Sequence, residues 1–188
     1  SVPEGCQEPS VTAYETAITR ASALYRYLQD EGLDLQILNL GGGFPARFRE
    51  DVPTIGQFCT AISQALTEHF HNDLPDILVE PGRYMVGEAG VVSSEVVLVS
   101  RRGGAPTDPR WVYLDIGRFG GLAETAGEAI RYPFRTPHDE SDPDHSPCVL
   151  AGPSCDGVDI MYDKARIPLP NSLRDGDRVD LLETGAYV

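Results

Sequence analysis

The sequence predicts an α/β domain followed by a β-rich domain. Up to about residue 92, helix-like and strand-like segments alternate, and the strand-like ones are too apolar to face water. After residue 93 the segments are short and mostly strand-like, and the loops between them are rich in Gly, Pro and Asp. We therefore expect two domains, residues 1–92 and residues 93–188, with helices covering parallel strands in the first.

The first domain should contain two helix–strand repeats. Apolar residues recur at helical spacing over 10–31, which predicts a helix that Ser10 can cap. A buried strand over 35–40 follows, then a helix that starts after Thr54, then a buried strand over 76–80. Two parallel strands are too few for a sheet that is covered on both faces, so we expect the chain to be part of a larger protein.

The second domain should be built mainly from short strands. The predicted strands cover 93–100, 110–117, 147–152 and 177–183. A short helix is expected near 122–130. The stretch 135–147 combines prolines with acidic residues, so we expect a mobile surface loop or a disordered segment.

Composition limits the classes of function. A formal net charge of −14 disfavours binding to nucleic acid and suits a cationic substrate. No apolar run approaches the ~20 residues of a membrane helix. The four cysteines form no CxxC pair, which favours a reduced, cytosolic protein. His69 and His71 should point to different faces of a helix, and His138 and His145 should be solvated in the acidic loop, so no metal site is predicted.

Three consecutive glycines, Gly41, Gly42 and Gly43, directly follow the first predicted strand. Glycines let the backbone approach a ligand closely and can point successive N–H groups at one anion. A phosphate is the anion that such a loop is expected to bind. The alternative is a flexible turn. The position at the carboxyl end of a parallel strand favours the ligand, because α/β folds bind ligands there.

The second predicted strand ends in the motif EPGR, so two charged residues, Glu80 and Arg83, stand at the end of a strand that is expected to be buried. Burying two charges is costly unless each has a partner. They could form an ion pair that caps the strand. Alternatively, Arg83 could grip a phosphate while Glu80 accepts a hydrogen bond from a cationic ring nitrogen. Together with the three glycines, the second interpretation describes pyridoxal 5′-phosphate.

Three further motifs lie in the β-rich domain. In GPSCDG, over 152–157, the Cys155 thiol could donate a proton and the Asp156 carboxylate could bind an ammonium group; the alternative is a tight turn with a buried cysteine. Asp115 stands at a strand end and could simply form a turn. Tyr187 follows a Gly-Ala pair and could touch a phosphate or merely pack.

In this order, GGGF, EPGR, DIG, GPSCDG and GAY resemble the motifs of the fold-type III pyridoxal-phosphate decarboxylases. This family acts on ornithine, lysine, arginine or diaminopimelate, and the sequence most resembles ornithine decarboxylase or the bacterial lysine/ornithine decarboxylases. The resemblance runs over nearly the whole chain. It implies that 1–92 is the C-terminal part of a (β/α)8 pyridoxal-phosphate-binding barrel, and that 93–188 is part of an alanine-racemase-like β-domain.

The resemblance also implies a role for each motif residue. Gly41, Gly42, Gly43 and Arg83 would hold the cofactor phosphate, with Tyr187 beside it, and Glu80 would pair with the pyridine nitrogen. Cys155 would reach the active site of a second subunit and protonate the substrate carbon after CO2 leaves. Asp156 and Asp115 would bind the distal amine of the substrate. A homodimer with shared active sites is therefore expected.

The substrate expectation depends on Asp156. Diaminopimelate decarboxylases usually have a glutamate after that cysteine, whereas an aspartate suits a simple terminal ammonium group. The resemblance thus implies decarboxylation of ornithine to putrescine, or of lysine to cadaverine, in cytoplasmic polyamine biosynthesis.

The sequence also departs from the family pattern. The family attaches its cofactor to a lysine in a PxYAVKAN-like stretch, which is absent here, and Lys164 is the single lysine. Ser1 and Glu4 stand where the family has a cofactor-stacking histidine and a phosphate-contacting serine. We therefore expect a fragment, or one chain of a split decarboxylase, that is inactive alone. The alternative is a non-catalytic homologue that binds regulators of the active enzyme; a racemase is disfavoured because the CDG turn serves decarboxylation.

Overall fold

The computed structural model describes residues 10–48, 51–103, 105 and 107–188. The chain divides into two compact units, Ser1–Val86 and Gly87–Val188. This division lies slightly before the boundary that the change of sequence pattern predicts near residue 92. The sequence-based alignment of Ser1 and Glu4 falls outside the described residues.

The first unit contains two parallel strands and three helices within its described residues. Its elements are α1 (Val11–Asp30), β1 (Ile37–Asn39), α2 (Ile55–Phe70), β2 (Asp76–Leu78) and α3 (Gly82–Val86). Both predicted repeats are therefore present, with shorter strands than expected. Helix α3 begins within the EPGR motif, which the sequence placed at the end of a longer strand.

Helix α2 begins as the sequence predicts. The Thr54 side chain accepts a hydrogen bond from the backbone N–H of Gln57, while the Gln57 side chain accepts from the Thr54 N–H, which forms a capping box. Helix α1 begins differently, because the side chain of Ser10 makes no capping hydrogen bond. Gly32 follows α1 with φ +87°, a left-handed conformation that favours glycine.

The core of the first unit is aromatic and lies between the two long helices and β1. The Tyr14 ring stacks on Phe44 at 5.1 Å between ring centroids and meets the edge of Phe58 at 5.5 Å. Tyr25 meets Phe70 at 5.4 Å in the same edge-to-face manner. Burying rings of this size contributes roughly 1.5–3 kcal/mol each.

The expectation of a buried second strand is wrong for the described residues. Ile77, Leu78 and Val79 are 37%, 44% and 45% exposed. Leu38 and Leu40, from β1 and the residue after it, do pack against the aromatic core. The reason is geometric: the helices of this unit cover only part of a two-stranded sheet, and β2 lies beyond the part that they cover.

The second unit is a mixed sheet of seven strands. They are β3 (Val91–Arg101), β4 (Arg110–Leu114), β5 (Phe134–Arg135), β6 (His145–Ala151), β7 (Ile160–Met161), β8 (Ile167–Pro170) and β9 (Arg178–Leu182). The order across the sheet is β5-β9-β3-β4-β6-β7, and β8 also pairs with β6. The four predicted strands are present, whereas β5, β7 and β8 were not predicted. A short 3₁₀ segment, Ala123–Glu128, stands where a short helix was expected.

Two features of this sheet matter for function. Strand β3 pairs with β9 through its first half and with β4 through its second half, with an irregularity between Val96 and Leu98. Strands β4 and β6 are parallel neighbours, and Tyr113 is opposite Ala151. The segments that follow β4 and β6 therefore leave the sheet at the same edge.

The acidic stretch 135–147 has a defined structure, contrary to the expectation of a mobile or disordered loop. Its ends belong to β5 and β6, and the Thr136 N–H donates to Asp139 at 2.8 Å. His138 Nε2 lies 2.8 Å from Asp177 Oδ2, and the two side chains are only 20% and 15% exposed, so the expectation of a solvated His138 is also wrong. Burial alone would raise the pKa of Asp177, but hydrogen bonds from the Arg174 backbone and His138 lower it overall.

Within the described residues, no helix is both long and apolar enough to cross a membrane. No group of three His, Cys, Asp or Glu side chains in that part of the chain could hold a metal ion. His69 Nε2 instead lies 2.9 Å from the Thr19 hydroxyl, between α2 and α1.

Candidate active site

Two loops meet where β1 and β2 end. The N–H of Glu80 donates to the carbonyl of Gly41 at 2.8 Å. The contact is so close that a Cβ atom placed on Gly42 would lie 2.4 Å from the Glu80 carbonyl oxygen. Parallel pairing of β1 with β2 brings these loops together, because both strands end at the same edge. The glycine-rich loop and the EPGR motif thus lie side by side.

The carboxylate of Glu80 is oriented by a residue that the sequence analysis missed. Asn39, the last residue of β1, donates from Nδ2 to Glu80 Oε1 at 2.6 Å and accepts the Gly41 N–H on Oδ1 at 2.8 Å. Among the described residues, the partner of the Glu80 carboxylate is this amide and not Arg83, which removes the ion-pair alternative. An amide at a strand end, next to a ligand loop, is the signal that could have identified Asn39.

Two residues of the glycine-rich loop adopt left-handed backbone. Gly41 and Gly43 have φ +70° and +89°, and nothing lies within 4 Å of a Cβ position on Gly41. The Tyr14 hydroxyl, also missed by the sequence analysis, donates to the Gly42 carbonyl at 2.6 Å and so helps to set the loop. Within the described part of the chain, the N–H groups of Gly42 and Gly43 have no acceptor. Two such donors on alternating backbone suit a phosphate.

Arg83 lies in the first turn of α3 and is only 2% exposed. Its guanidinium carbon is 5.7 Å from the centroid of the Phe48 ring, within the range of a cation–π contact. The first unit therefore brings together Gly41, Gly42, Gly43 and Glu80, and it holds Arg83 three residues beyond Glu80 on the same connection.

The other predicted site residues lie in the second unit. The turn with Cys155 and Asp156 follows β6, and Asp115 follows the parallel strand β4. Cys155 is exposed, so the alternative of a buried cysteine in a tight turn is wrong. Cys148, inside β6, is the buried thiol, and burial raises its pKa.

Each of the two candidate substrate carboxylates has one oxygen engaged by the protein. Asp156 Oδ1 accepts the Val158 N–H at 2.9 Å. Asp115 Oδ1 accepts from the Ser94 hydroxyl at 2.5 Å and from the Glu95 N–H at 3.0 Å. For both residues, Oδ2 has no partner among the described residues. Each carboxylate is thus held in place while one oxygen stays available to a cation.

Tyr187 is 60% exposed and belongs to a segment with unusual backbone geometry. Glu183 and Tyr187 have φ +62° and +61°, which costs conformational energy for residues other than glycine. Thr184 N–H donates to the Gly90 carbonyl at 3.0 Å, so the segment is tied to the start of the unit.

Lys164 also lies in the second unit and is exposed. Its backbone N–H donates to Glu128 Oε1 at 2.8 Å, beyond the CDG turn and the short strand β7.

Comparisons with known proteins find relatives in one family. Residues 4–87 match the model of the pyridoxal-dependent decarboxylases, pyridoxal binding domain. The chain is 32% identical to the lysine/ornithine decarboxylase of Selenomonas ruminantium over 97% of its own length and 44% of that protein. Its sequence is similar to those of the pyridoxal-dependent decarboxylases. It is also 32% identical to the diaminopimelate decarboxylase of Staphylococcus aureus, over 92% of this chain and 41% of that one.

Solved decarboxylase structures agree with this similarity. The lysine/ornithine decarboxylase of Vibrio vulnificus complexed with cadaverine matches with a TM-score of 0.80 at 32% identity, over 98% of this chain and 47% of that one. The predicted fold class, the later part of a barrel and a partial β-domain, is confirmed. The chain spans less than half the length of the decarboxylases described here.

Proposed function

We propose that this chain supplies the phosphate-binding loop, the ring-binding carboxylate and the substrate-binding turn of a pyridoxal-phosphate-dependent decarboxylase. The observation that supports it most strongly is the hydrogen bond between Glu80 and Gly41, by which the glycine-rich loop lies beside a carboxylate held by Asn39. A phosphorylated pyridinium carries the complementary pair of charges. The family match over residues 4–87 supports the same cofactor.

The residues present fit this cofactor. The N–H groups of Gly42 and Gly43 would hold its phosphate, with Arg83 and Tyr187 as further partners. Because Asn39 occupies Oε1 of Glu80, Oε2 stays available to accept the ring N–H. When bound, pyridoxal phosphate supplies an electron-accepting ring to the carbon that loses CO2.

Cys155 is the proposed proton donor of the reaction. When the bond between the substrate Cα and its carboxyl carbon breaks, CO2 leaves and the electron pair stays with Cα. The Cys155 thiol then delivers its proton to that carbon. An exposed thiol on a turn can reach a substrate, whereas the buried Cys148 cannot.

The proposed substrate is a basic amino acid, ornithine or lysine. Asp156 and Asp115 each offer one carboxylate oxygen to the terminal ammonium group, and the net charge of −14 favours the approach of a cation. The names of the Selenomonas ruminantium and Vibrio vulnificus relatives, lysine/ornithine decarboxylase, support this class. The product would be putrescine or cadaverine, as in polyamine biosynthesis.

The assembly and the compartment are part of the same proposal. We propose a homodimer in which Cys155 serves the partner's active site, because in this family that cysteine acts across the subunit interface. A cytoplasmic location is supported by the free thiols of Cys59, Cys148 and Cys155.

The competing proposal is a non-catalytic homologue that acts through protein interactions. It is favoured by one observation: the single lysine, Lys164, is exposed and follows the CDG turn rather than the cofactor loops. The two proposals differ in whether the residues of this chain support decarboxylation.

Cofactor binding is tested first, by phosphorus NMR titration of the chain with pyridoxal phosphate. Inorganic phosphate serves as the comparison ligand, and unphosphorylated pyridoxal, which gives no phosphorus signal, serves as a competitor. Glu80→Gln should weaken binding of pyridoxal phosphate but not of phosphate, and Glu68→Gln, an exposed glutamate of α2, should change neither. Borohydride reduction and peptide mapping should leave Lys164 unlabelled. Equal binding by Glu80→Gln would contradict the ring-binding role.

Catalysis is tested in a chimera, in which this chain replaces the matching segment of the Selenomonas ruminantium enzyme. CO2 release from ornithine and lysine is expected, with a loss in Cys155→Ala and a raised KM in Asp156→Ala. A chimera that folds and binds pyridoxal phosphate but releases no CO2 would favour the non-catalytic homologue.

A further inference from the structure

Asp159 is the one acidic residue that is buried among the described residues, at 2% exposure. A buried carboxylate is costly unless hydrogen bonds replace its water. Sequence reasoning gave Asp159 no role, because an aspartate in a loop usually faces solvent.

The two oxygens of Asp159 bind two different turns. Oδ1 accepts the backbone N–H of Arg118 at 2.8 Å, in the turn after β4 that starts with Asp115. Oδ2 accepts the N–H of Ser154 at 3.1 Å, in the turn after β6 that carries Cys155. One carboxylate therefore bridges the two turns that hold the candidate substrate residues.

Two glycines leave room for this bridge. A Cβ atom on Gly117 would lie 2.2 Å from Asp159 Oδ1, and one on Gly152 would lie 2.3 Å from Oδ2. Such distances are far shorter than the ordinary van der Waals contact distance of a carbon atom, so a side chain at either position would displace the carboxylate. The glycines of the DIG and GPSCDG motifs are thus explained by the space that Asp159 occupies.

Arg118 adds a second connection between the same turns. Its guanidinium donates from Nη1 to the Val158 carbonyl at 2.7 Å and from Nη2 to the Thr125 carbonyl at 3.2 Å. Val158 in turn donates its N–H to Asp156, so the arginine supports the residue that holds the candidate substrate carboxylate. Both connections run inside the second unit.

We infer that Asp159 is a positioning residue that locks the Cys155–Asp156 turn to the Asp115 turn, so that the substrate-facing half of the site is preassembled within this chain. The roles of Cys155, Asp156 and Asp115 rest on the proposed function. The lock itself rests on the bridging hydrogen bonds and can be measured without activity.

The experiment places a nitroxide spin label on Cys155 of the full chain. Cys59 and Cys6 are replaced by serine, and Cys148 is buried, so we expect it not to react with the label. The label should be immobilised in this background and become mobile in Asp159→Asn, because an asparagine can accept only one of the two N–H groups. Asp163→Asn, the same change at an exposed aspartate of this unit, should leave the label immobilised.

Hydrogen exchange tests the lock in the unmutated chain, and so the test holds even if Asp159→Asn fails to fold. The amide protons of Arg118 and Ser154, followed by ¹H–¹⁵N NMR, should both be protected from exchange with solvent, because each is donated to the Asp159 carboxylate. Rapid exchange at either amide, or an immobilised label in folded Asp159→Asn, would overturn the inference. If the lock holds while pyridoxal phosphate does not bind or the chimera is inactive, the proposed function fails and the positioning role stands.

Discussion

Replacing Gly42 with alanine tests how closely the glycine-rich loop approaches the strand end that carries Glu80. The added Cβ would meet the Glu80 carbonyl oxygen at 2.4 Å. Ordinary contacts of carbon need ~3.5 Å, so the two loops must separate by about 1 Å. Because the obstacle is backbone, no side-chain rotation can relieve the overlap.

The cost follows from what this separation breaks. It would stretch the hydrogen bond from Glu80 N–H to the Gly41 carbonyl, now 2.8 Å, beyond hydrogen-bonding distance. A lost hydrogen bond costs about 0.5–1.5 kcal/mol and overpacking about 1–3 kcal/mol. We expect the free energy of unfolding to fall by about 2–4 kcal/mol, and the affinity for pyridoxal phosphate to fall at least about tenfold, since ~1.4 kcal/mol is a factor of ten.

The assay is urea unfolding of the full chain with two signals. Circular dichroism at the helix band reports mainly α1 and α2, whereas fluorescence of the single tryptophan, Trp111, reports the second unit. The helix transition should shift to lower urea more than the fluorescence transition.

Gly56→Ala is the matched control for this assay. Gly56 lies in the first turn of α2, where a Cβ would meet only the Thr54 hydroxyl, at 3.8 Å. Alanine is the better helix former by roughly 1 kcal/mol, so this variant should be as stable as the original chain or more so. If Gly42→Ala unfolds at the original urea concentration and binds pyridoxal phosphate equally well, the close approach of the two loops is refuted.

Three further predictions concern local interactions. Asn39→Ala removes the amide that orients Glu80, so affinity for pyridoxal phosphate, measured by phosphorus NMR, should fall about five- to tenfold, the equivalent of ~1 kcal/mol for one hydrogen bond; unchanged affinity would contradict that role. Thr54→Ala removes the capping box of α2 and should lower the free energy of unfolding by about 1 kcal/mol, measured in the helix band. Arg135→Gln should raise the pKa of Asp180 in a carbon-13 titration, because the hydrogen bond from Arg135 is the main cause that holds it below its usual value. A carboxyl group with a lowered pKa stabilises the fold at pH values above its ordinary pKa of about 3.9, and this stabilisation is lost as the pH falls through the lowered pKa. The variant and the original chain should therefore differ in stability at neutral pH and become equally stable in acid.

Much of the first unit could be predicted because its signals are local. The helix after Thr54 follows from a capping residue and an apolar stripe, and both are readable from neighbouring residues. The meeting of Gly41 with Glu80 follows from parallel strands that end at one edge. The strands were predicted too long and too buried, because an apolar run does not reveal which of its faces a helix will cover.

The second unit was harder to predict because its short strands depend on distant partners. Strand β8, Ile167–Pro170, contains two prolines that argue against a strand, yet it pairs antiparallel with β6. His138 was expected to be solvated, but it pairs with Asp177, which is distant in the sequence. Asp159 was missed for the same reason, since its partners are set by the fold and not by spacing.

The pairing of strand β3 sets the order in which parts of the sheet can form during synthesis. Its first half finds its partner in β9, near the far end of the unit's sequence, whereas its second half pairs with the nearby β4. During synthesis, the β3–β4 hairpin can form as soon as both strands leave the ribosome, but the first half of β3 must wait for Arg178–Leu182. Until then the growing chain carries an open strand edge, which can pair with another chain.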